Sequence, residues 1–325
     1  MIKIQYKLRF PSSVYAAAES AGNLYVGGSN WNRRAVRYSK NIARKAKGVL
    51  YILKKKGTGK TFTTNRKVLF PSMIYTILVL PNGTLFVGCK GEKDTMTIID
   101  KQGNLIISRD DKDGKGVYNA ILNRKKSEII LTTRSGKLEI IDSRTLRLKS
   151  KIQLSSQKVR LWSLKFDAKN EVIYAGDYDG ILYIVERKKF FRKKVRLLDI
   201  KKFYTGDKRL KGGFGPSLWG LEIMGNNIVI GTRWGDLIIF DKNFKLITSF
   251  NIGEDISCIE RLSKEILLVG TRFGKLFSFD LDSHQLKKII EIKPALQKEN
   301  AIWGMISSAS GVLVCFADGY VCKIS

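Results

Sequence analysis

The chain has 325 residues, of which 44% are hydrophobic, a share that is ample for a packed core and excludes a disordered chain. Lysine and arginine number 59 against 29 acidic residues, and the net charge of +30 predicts a negatively charged partner such as nucleic acid, an anionic membrane surface or an acidic protein. The start, MIKIQYKLRF, alternates apolar and charged residues, and no apolar run reaches the roughly 18 residues of a membrane span. We therefore expect no signal peptide and no membrane span, and a cytoplasmic location.

One short pattern recurs along the chain: an apolar residue, an aromatic residue, a small residue and another apolar residue. Its seven copies are VYAA at Val14, IYTI at Ile74, VYNA at Val117, LWSL at Leu161, LWGL at Leu218, ISCI at Ile256 and IWGM at Ile302. After each copy come an apolar strand, a tight turn and a second apolar strand, as in EVIYAGDYDGILYIVE (171–186). A fourth strand usually follows. Four short antiparallel strands repeated seven times predict an all-β, seven-bladed β-propeller.

The tight turns contain the glycine that a short hairpin needs at positive φ. These turns are Ser135-Gly136, Asp179-Gly180, Trp234-Gly235, Phe273-Gly274 and Asp318-Gly319.

The two ends of the chain predict how the ring closes. The seventh repeat has only three strands, the last ending near Ser325. Residues 8–15 (LRFPSSVY) match residues 68–75 (VLFPSMIY), whose part before Pro71 is the predicted outer strand of blade one. We therefore expect the segment 2–10 to supply the outer strand of blade seven, which removes the open sheet edge.

These repeats predict one β-propeller domain covering 1–325. Its predicted parts are the closing strand 1–10, blade one 14–70 with an insertion at 30–48, blade two 74–110, blade three 117–154, blade four 161–200 with a basic segment at 187–211, blade five 218–251, blade six 256–292 and blade seven 302–325.

The stretches GDYDGILYIVE (176–186) and LWSLKFD (161–167) resemble the repeats of WD-repeat and quinoprotein-like propellers, and the resemblance extends over essentially the whole chain. The Trp-Asp pair that defines WD repeats is absent from every blade. The resemblance implies the architecture alone, because these superfamilies contain scaffolds, binding proteins and a few enzymes.

The excess positive charge is confined to part of the chain. Residues 20–91 contain 14 basic residues and no acidic one, and residues 187–211 contain 12 basic residues against Asp199 and Asp207. Residues 218–325 contain 12 of each sign, so the whole +30 lies in residues 1–217. A uniform lysine bias would not produce this distribution, and we expect one side of the ring to meet negative charge.

Both insertions interleave basic with aromatic residues, a combination suited to phosphates and unstacked bases. The first follows the second strand of blade one and could form a short helix or an arm that orders on binding. The second consists of a turn between the outer strands of blade four and a linker into blade five. The candidate nucleic-acid-binding residues are Trp31, Arg33, Arg34, Arg37, Tyr38, Lys40, Arg44, Lys45, Lys47, Lys188, Lys189, Arg192, Lys193, Lys194, Lys201, Lys202, Lys208, Arg209 and Lys211.

Two repeat positions are further candidates. Arg134, Arg233 and Arg272 occupy one turn position in blades three, five and six, with Asp177 assigned to it in blade four, and they could contact phosphates or brace neighbouring blades. The aromatic position of the seven-fold pattern predicts a ring around the channel mouth that could bind a ligand or only pack. It consists of Tyr15, Tyr75, Tyr118, Trp162, Trp219 and Trp303, with Ser257 as a gap.

The sequence offers little for catalysis. His284 is the only histidine, which excludes multi-histidine metal sites and disfavours Ser-His or Cys-His chemistry. The string GTGKT (57–61) is not a phosphate-binding loop, because Lys54 stands where the first glycine of that motif belongs. Glu222 and Glu260 are too sparse to predict a carboxylate-lined channel. We expect no catalytic residue, no cofactor and no metal.

The four cysteines are expected to be reduced, since none forms a CxxC pair and four are too few to staple a chain of this length. Their positions are Cys89, Cys258, Cys315 and Cys322, and the last two could face each other across a hairpin.

The leading hypothesis is a non-enzymatic protein that binds structured RNA in a ribonucleoprotein particle such as the ribosome, alongside other proteins of that particle. DNA stays open, although no helix that reads a groove is evident. The alternative is a scaffold whose basic half docks an acidic protein or an anionic membrane. An enzyme of the quinoprotein or lactonase type is the third hypothesis.

Overall fold

The computed structural model describes residues 2–30, 47–57, 61–91, 93–110, 116–155, 159–187, 194–204, 215–292 and 300–325. These residues form seven four-stranded antiparallel sheets arranged as the blades of a β-propeller, which confirms the predicted fold class.

The strands fall into four sets by their place in the blade. The innermost strands are β2 (Ser13–Ser20), β6 (Met73–Val79), β10 (Val117–Asn123), β14 (Leu161–Asp167), β18 (Leu218–Met224), β22 (Ile256–Arg261) and β26 (Ile302–Ser308). The second strands are β3 (Asn23–Ser29), β7 (Leu85–Lys90), β11 (Glu128–Thr133), β15 (Val172–Asp177), β19 (Asn227–Thr232), β23 (Ile266–Thr271) and β27 (Gly311–Phe316). The third strands are β4 (Gly48–Lys55), β8 (Met96–Ile99), β12 (Lys137–Asp142), β16 (Ile181–Glu186), β20 (Asp236–Asp241), β24 (Lys275–Asp280) and β28 (Tyr320–Ile324). The outer strands are β5 (Phe62–Phe70), β9 (Leu105–Arg109), β13 (Leu148–Gln153), β17 (Lys194–Asp199), β21 (Leu246–Asn251), β25 (Leu286–Glu291) and β1 (Ile4–Arg9).

Two short 3₁₀ turns, Arg124–Lys126 and Ile200–Phe203, complete the elements.

The first strand of the chain closes the ring, as the sequence predicts. Strand β1 pairs antiparallel with β28, from Ile4 opposite Ile324 to Arg9 opposite Tyr320. Beyond the strand, Lys3 and Ser325 exchange two backbone hydrogen bonds of 2.8 and 3.0 Å. The outer edge of blade seven is therefore covered by residues from the other end of the chain.

Apolar side chains fill the spaces between neighbouring blades. The second and third strands are buried on both faces, which is why they are continuous apolar runs such as LIIF in β20 rather than alternating ones. The outer strands are largely exposed, as in β5. One core cluster joins Met224 and Leu237 of blade five to Ile256 and Phe279 of blade six, and the other clusters likewise join adjacent blades.

Glycines near the ends of the second strands allow the blades to approach closely. A Cβ added at Gly231 would lie 2.5 Å from Cγ2 of Ile256, and one at Gly176 would lie 2.6 Å from Cβ of Leu218. Both partners are the first residue of the next inner strand. These glycines therefore set the spacing between blades.

Aspartates close several turns between third and fourth strands. The Asp142 carboxylate accepts hydrogen bonds from the backbone N–H groups of Arg144 and Thr145, both at 3.0 Å. Donation from the Arg144 N–H, together with that from Thr145, lowers the pKa of Asp142 to about 2. Asp100, Asp241 and Asp280 accept backbone hydrogen bonds in the same way.

The antiparallel order defines two faces of the ring. We call the face where inner strands begin the entry face; it also carries the turns between second and third strands and the links between blades. The opposite face, the exit face, carries the turns between first and second and between third and fourth strands.

The four cysteines are free thiols. Cys315 lies opposite Val321 and Cys322 lies opposite Val314, so the two do not face each other across the hairpin. Burial raises the pKa of Cys322 to about 12, and the thiol stays protonated at neutral pH.

Candidate nucleic-acid interface

Most of the candidate nucleic-acid-binding residues predicted from the sequence lie outside the described residues. These are Trp31, Arg33, Arg34, Arg37, Tyr38, Lys40, Arg44 and Lys45 of the first insertion, and Lys188, Lys189, Arg192, Lys193, Lys208, Arg209 and Lys211 of the second. Lys47, Lys194, Lys201 and Lys202 are described, and all four are exposed.

The first insertion begins and ends at one point on the entry face. The Asn30 N–H donates to the Lys47 carbonyl at 2.9 Å, and the Lys47 N–H donates to Oδ1 of Asn30 at 2.9 Å. The two ends of the segment are therefore joined to each other where β3 ends and β4 begins.

The candidates of blade four divide between the two faces. Lys201 and Lys202 lie on the turn Ile200–Phe203, which Asp199 caps by accepting from the Lys201 N–H at 3.0 Å and which buries Ile200. This turn follows the outer strand, on the entry face. Lys194 begins that strand opposite Glu186, on the exit face. The structure therefore brings Lys201 and Lys202, but not Lys194, to the face that carries Lys47.

The rim position assigned to Arg134, Arg233 and Arg272 is confirmed as one equivalent site, but its occupant in blade four is Tyr178. The N–H of each of these residues donates to the link that precedes the same blade's inner strand, at 3.0 to 3.2 Å. Asp177 lies one residue earlier, inside the turn, where it accepts from Tyr183 and two backbone N–H groups. The assignment of Asp177 to the rim position is therefore wrong: Asp177 occupies the place that Thr133, Thr232 and Thr271 hold in blades three, five and six.

The rim arginines are held to different degrees. Nε of Arg233 and Nη1 of Arg272 share one Asp255 oxygen, at 3.8 and 3.4 Å. This bridge ties blade five to blade six, so these two residues do brace neighbouring blades. Within the described ranges, neither Arg134 nor Arg160, which precedes the inner strand of blade four, makes an ion pair.

The predicted aromatic ring exists, and it lies at the entry-face end of the channel. Tyr15 and Tyr75 stack with centroids 5.2 Å apart. The Trp162 ring lies 4.8 Å from Tyr118, 5.8 Å from Trp219 and 6.0 Å from Trp303, and therefore sits in the middle of the cluster. The rings pack on one another, while Tyr75, Trp162 and Trp303 stay partly exposed and could still meet a ligand.

A β-bulge in every inner strand presents these side chains. The pairing of first and second strands skips one residue in each blade, and the skipped residues are those of the ring: Tyr15, Tyr75, Tyr118, Trp162, Trp219, Ser257 and Trp303. A bulge leaves a residue unpaired and redirects its side chain. In blade six the Ser257 hydroxyl donates to the Ile302 carbonyl at 2.6 Å.

Cations surround the aromatic cluster. Nζ of Lys90 lies 5.5 Å from the centroid of Tyr75, Cζ of Arg160 lies 5.5 Å from that of Tyr178, and Cζ of Arg233 lies 5.4 Å from that of Trp219. Burial raises the pKa of the Tyr118 hydroxyl, although the charges of Arg160 and Arg134 act in the opposite direction. The hydroxyl is therefore a hydrogen-bond donor at neutral pH.

Below the ring, a cavity of about 350 Å³ follows the channel toward Leu78, Glu260 and Ser307. Nζ of Lys165 lies 2.6 Å from Glu222 and 3.0 Å from Glu260, and the Ser307 hydroxyl donates to Glu260 at 2.7 Å. Burial alone would lower the pKa of Lys165, but the charges of Glu260 and Glu222 more than offset this and raise it. Burial raises the pKa of Glu260. The two acids, which are sparse in the sequence, thus share one lysine.

Sequence reasoning did not single out Lys90, Arg160, Tyr178 or the cluster of Lys165 with its acids. Lys90 and Tyr178 could have been found by extending the rim position to every blade. Lys165, Glu222 and Glu260 hold the fifth place of consecutive copies of the seven-fold pattern, one lysine in blade four followed by glutamates in blades five and six.

In the parts of the chain that the structure describes, no group of three or more His, Cys, Asp or Glu side chains is placed to hold a metal ion. No helix among these residues is long and apolar enough to cross a membrane.

The fold and the site together define a seven-bladed β-propeller whose entry face combines cations with aromatic rings. The chain matches no protein-family model and no curated protein sequence.

Proposed function

We propose that this protein is a non-enzymatic β-propeller that binds structured RNA through its entry face, as a component of a ribonucleoprotein particle such as the ribosome in the cytoplasm. The basic insertion of blade one and the entry-face part of the blade-four segment would dock the RNA. We also propose that the protein is related to the WD-repeat-like or quinoprotein-like propellers. The seven-bladed architecture supports this.

The observation that supports this most directly is the shared location of two features. The joined ends of the arginine-rich insertion lie on the same face as the channel mouth, where Lys90 and Arg160 lie over aromatic rings. Phosphate neutralisation supplies most RNA affinity, and aromatic faces stack on unpaired bases.

Charge reversal at matched positions tests the docking face. The entry-face variant replaces five basic residues of the first insertion with glutamate: Arg33, Arg34, Arg37, Arg44 and Lys45. The control variant reverses five exposed lysines on exit-face turns and outer strands: Lys169, Lys245, Lys264, Lys287 and Lys288. Lys242 is left out, because it lies 2.6 Å from the buried Asp167 carboxylate and its loss would destabilise the fold.

Binding to a structured RNA is measured across a salt series. We expect the entry-face variant to bind far more weakly, and its salt slope to fall by roughly 0.7 to 0.9 for each phosphate that it no longer neutralises, while the control changes little. Equal losses of affinity in both variants would show a diffuse positive field and overturn the docking face. Displacement of the RNA by poly-L-glutamate at equal charge concentration would favour the acidic-partner alternative.

A further inference from the structure

Resting on the proposed function, we propose that the channel mouth on the entry face is a site for one unstacked nucleobase and its phosphate, with the base stacked on Trp162 and the phosphate bound by Arg134 and Arg160. In the proposed function, the basic insertions bind RNA phosphates without sequence specificity. This second site would make the protein prefer RNA that has single-stranded bases.

A bulge repeated in all seven blades builds this mouth. A single bulge could be a local irregularity, but the same skipped residue in every inner strand is a feature of the fold. The residues that flank the bulge pack into opposite blade interfaces, as Val14 and Ala16 do. Its effect is to direct six aromatic side chains to one point on the axis.

The aromatic side chains form a closed floor at the mouth. The Trp162 ring lies 4.8 to 6.0 Å from the rings of Tyr118, Trp219 and Trp303, so the four rings form one packed group. Trp162 and Trp303 remain partly exposed, whereas Tyr118 and Trp219 are each only 6% exposed. A flat ligand would therefore lie on this floor and would not thread through the channel.

Two guanidinium groups bring positive charge to the floor. Arg233 and Arg272 are engaged by Asp255, but Arg134 and Arg160 make no ion pair with any residue that the structure describes. Cζ of Arg160 lies 5.5 Å from the centroid of Tyr178, whose ring lies 5.9 Å from that of Trp162. The backbone N–H of Arg134 donates to the Gly116 carbonyl at 3.2 Å, two residues before Tyr118, so it lies at the rim of the same mouth. Guanidinium groups suit phosphate oxygens.

Unsatisfied polar atoms lie at the same place. Among the described residues, Oη of Tyr118 and Nε1 of Trp219 are buried and have no hydrogen-bond partner, and the same holds for Nε1 of Trp303. All three residues line the cavity at its aromatic end. Buried donors ordinarily find acceptors, so three unpaired donors around the mouth distinguish it from a fully satisfied core.

The same features argue against a cationic ligand. Aromatic clusters can bind ammonium groups, but here Lys90, Arg160 and Arg233 already lie over ring faces. A further cation would meet repulsion from all three. A planar base that carries a negative phosphate fits both the rings and the charges.

The experiment compares two RNA probes, a labelled hairpin with a single-stranded loop and a fully paired duplex with the same number of phosphates. Trp162→Leu keeps an apolar side chain and removes the stacking ring, and Trp162→Phe restores a ring. The matched control is Trp234→Leu, since Trp234 also lies on the entry face but packs on Tyr204 at 4.9 Å, away from the cavity. Thermal melts check that every variant folds.

We expect Trp162→Leu to weaken hairpin binding about 5- to 100-fold, as for loss of one stacked base, with duplex binding and salt slope unchanged. Trp162→Phe should remain within about threefold of the natural protein, and Trp234→Leu should match it. Arg134→Gln with Arg160→Gln should lower the salt slope for the hairpin by roughly 0.7 for each phosphate that is no longer bound.

The outcomes separate the two proposals. If neither probe binds the natural protein, the RNA-binding function itself is wrong. If both probes bind and Trp162→Leu binds the hairpin as well as the natural protein does, the docking face stands and the base site is wrong. Displacement of the loop by an acidic peptide as efficiently as by a single-stranded oligonucleotide would also overturn the base site.

Discussion

Removing the closing strand should destabilise the entire ring. The change is deletion of residues 1–10, which takes away β1 (Ile4–Arg9) and Phe10. Blade seven then keeps three strands and exposes the edge of β28, including the buried Cys322 and Lys323. Because the blades pack on one another around a closed circle, the destabilisation is transmitted to both neighbours of blade seven.

The magnitude follows from the interactions that the deletion removes. Phe10 is 7% exposed and its ring lies 5.1 Å from that of Tyr51, so its burial contributes about 2 to 3 kcal/mol. Three backbone hydrogen bonds at the strand ends join Lys3 to Ser325 and Phe10 to Gly319, at about 1 kcal/mol net each. The free energy of unfolding should fall by about 5 kcal/mol, a large share of the 5 to 15 kcal/mol typical of a domain.

Differential scanning calorimetry measures the effect directly. For a chain of this length the expected decrease corresponds to a melting temperature about 7 °C lower. A synthetic peptide of residues 1–12 should restore the temperature in a concentration-dependent way, because it binds only the folded ring, and a scrambled peptide should not.

A truncated protein that melts within about 1 °C of the full chain would refute the closing role of β1. A melt in two steps, with only a small early transition, would contradict it differently, by showing that blade seven unfolds on its own.

Three further outcomes are expected. Asp142→Ala should lower the urea midpoint at neutral pH, and the difference from the natural protein should shrink as pH falls from about 4 to about 2, because the lowered pKa means that the carboxylate stabilises the fold only while it is ionised. Lys165→Met should cost about 3 kcal/mol by leaving two buried carboxylates unpaired, and the triple change K165M/E222Q/E260Q should recover most of that in urea unfolding. Elemental analysis and absorbance spectra of the dialysed protein should show no stoichiometric metal or redox cofactor, and finding either would refute the non-enzymatic proposal.

The fold could be predicted because the same pattern of apolar strands and turn residues recurs in each blade. Strands covered on both faces must be apolar along their length, and the turns between them need glycine at positive φ, as at Gly180 and Gly235. The closing strand was visible because its FPS ending is repeated at residues 70–72. These signals are local, and they recur from one repeat to the next.

The site could be predicted only in outline. The bulge at Trp162 changes the pairing register by one residue without disturbing the apolar pattern, so the sequence marks the aromatic position but not its convergence on the axis. The cluster of Lys165, Glu222 and Glu260 joins side chains 57 and 95 positions apart, and that proximity depends on the curvature of the ring. Which rim arginines are engaged depends on Asp255, whose place in the link to blade six no repeat predicts.

The packing of the aromatic ring has an optical consequence. Three of the five tryptophans, Trp162, Trp219 and Trp303, lie with centroids 5.8 to 6.0 Å apart and planes inclined by 36° to 56°. Indole chromophores that are close and not coplanar couple their excited states and produce a paired positive and negative band in circular dichroism. That band should weaken when any one of the three is replaced, because only one coupled pair then remains, and it should persist when Trp234 is replaced. The coupled indoles of Trp162, Trp219 and Trp303 thus provide an optical signal for the packing of the aromatic ring.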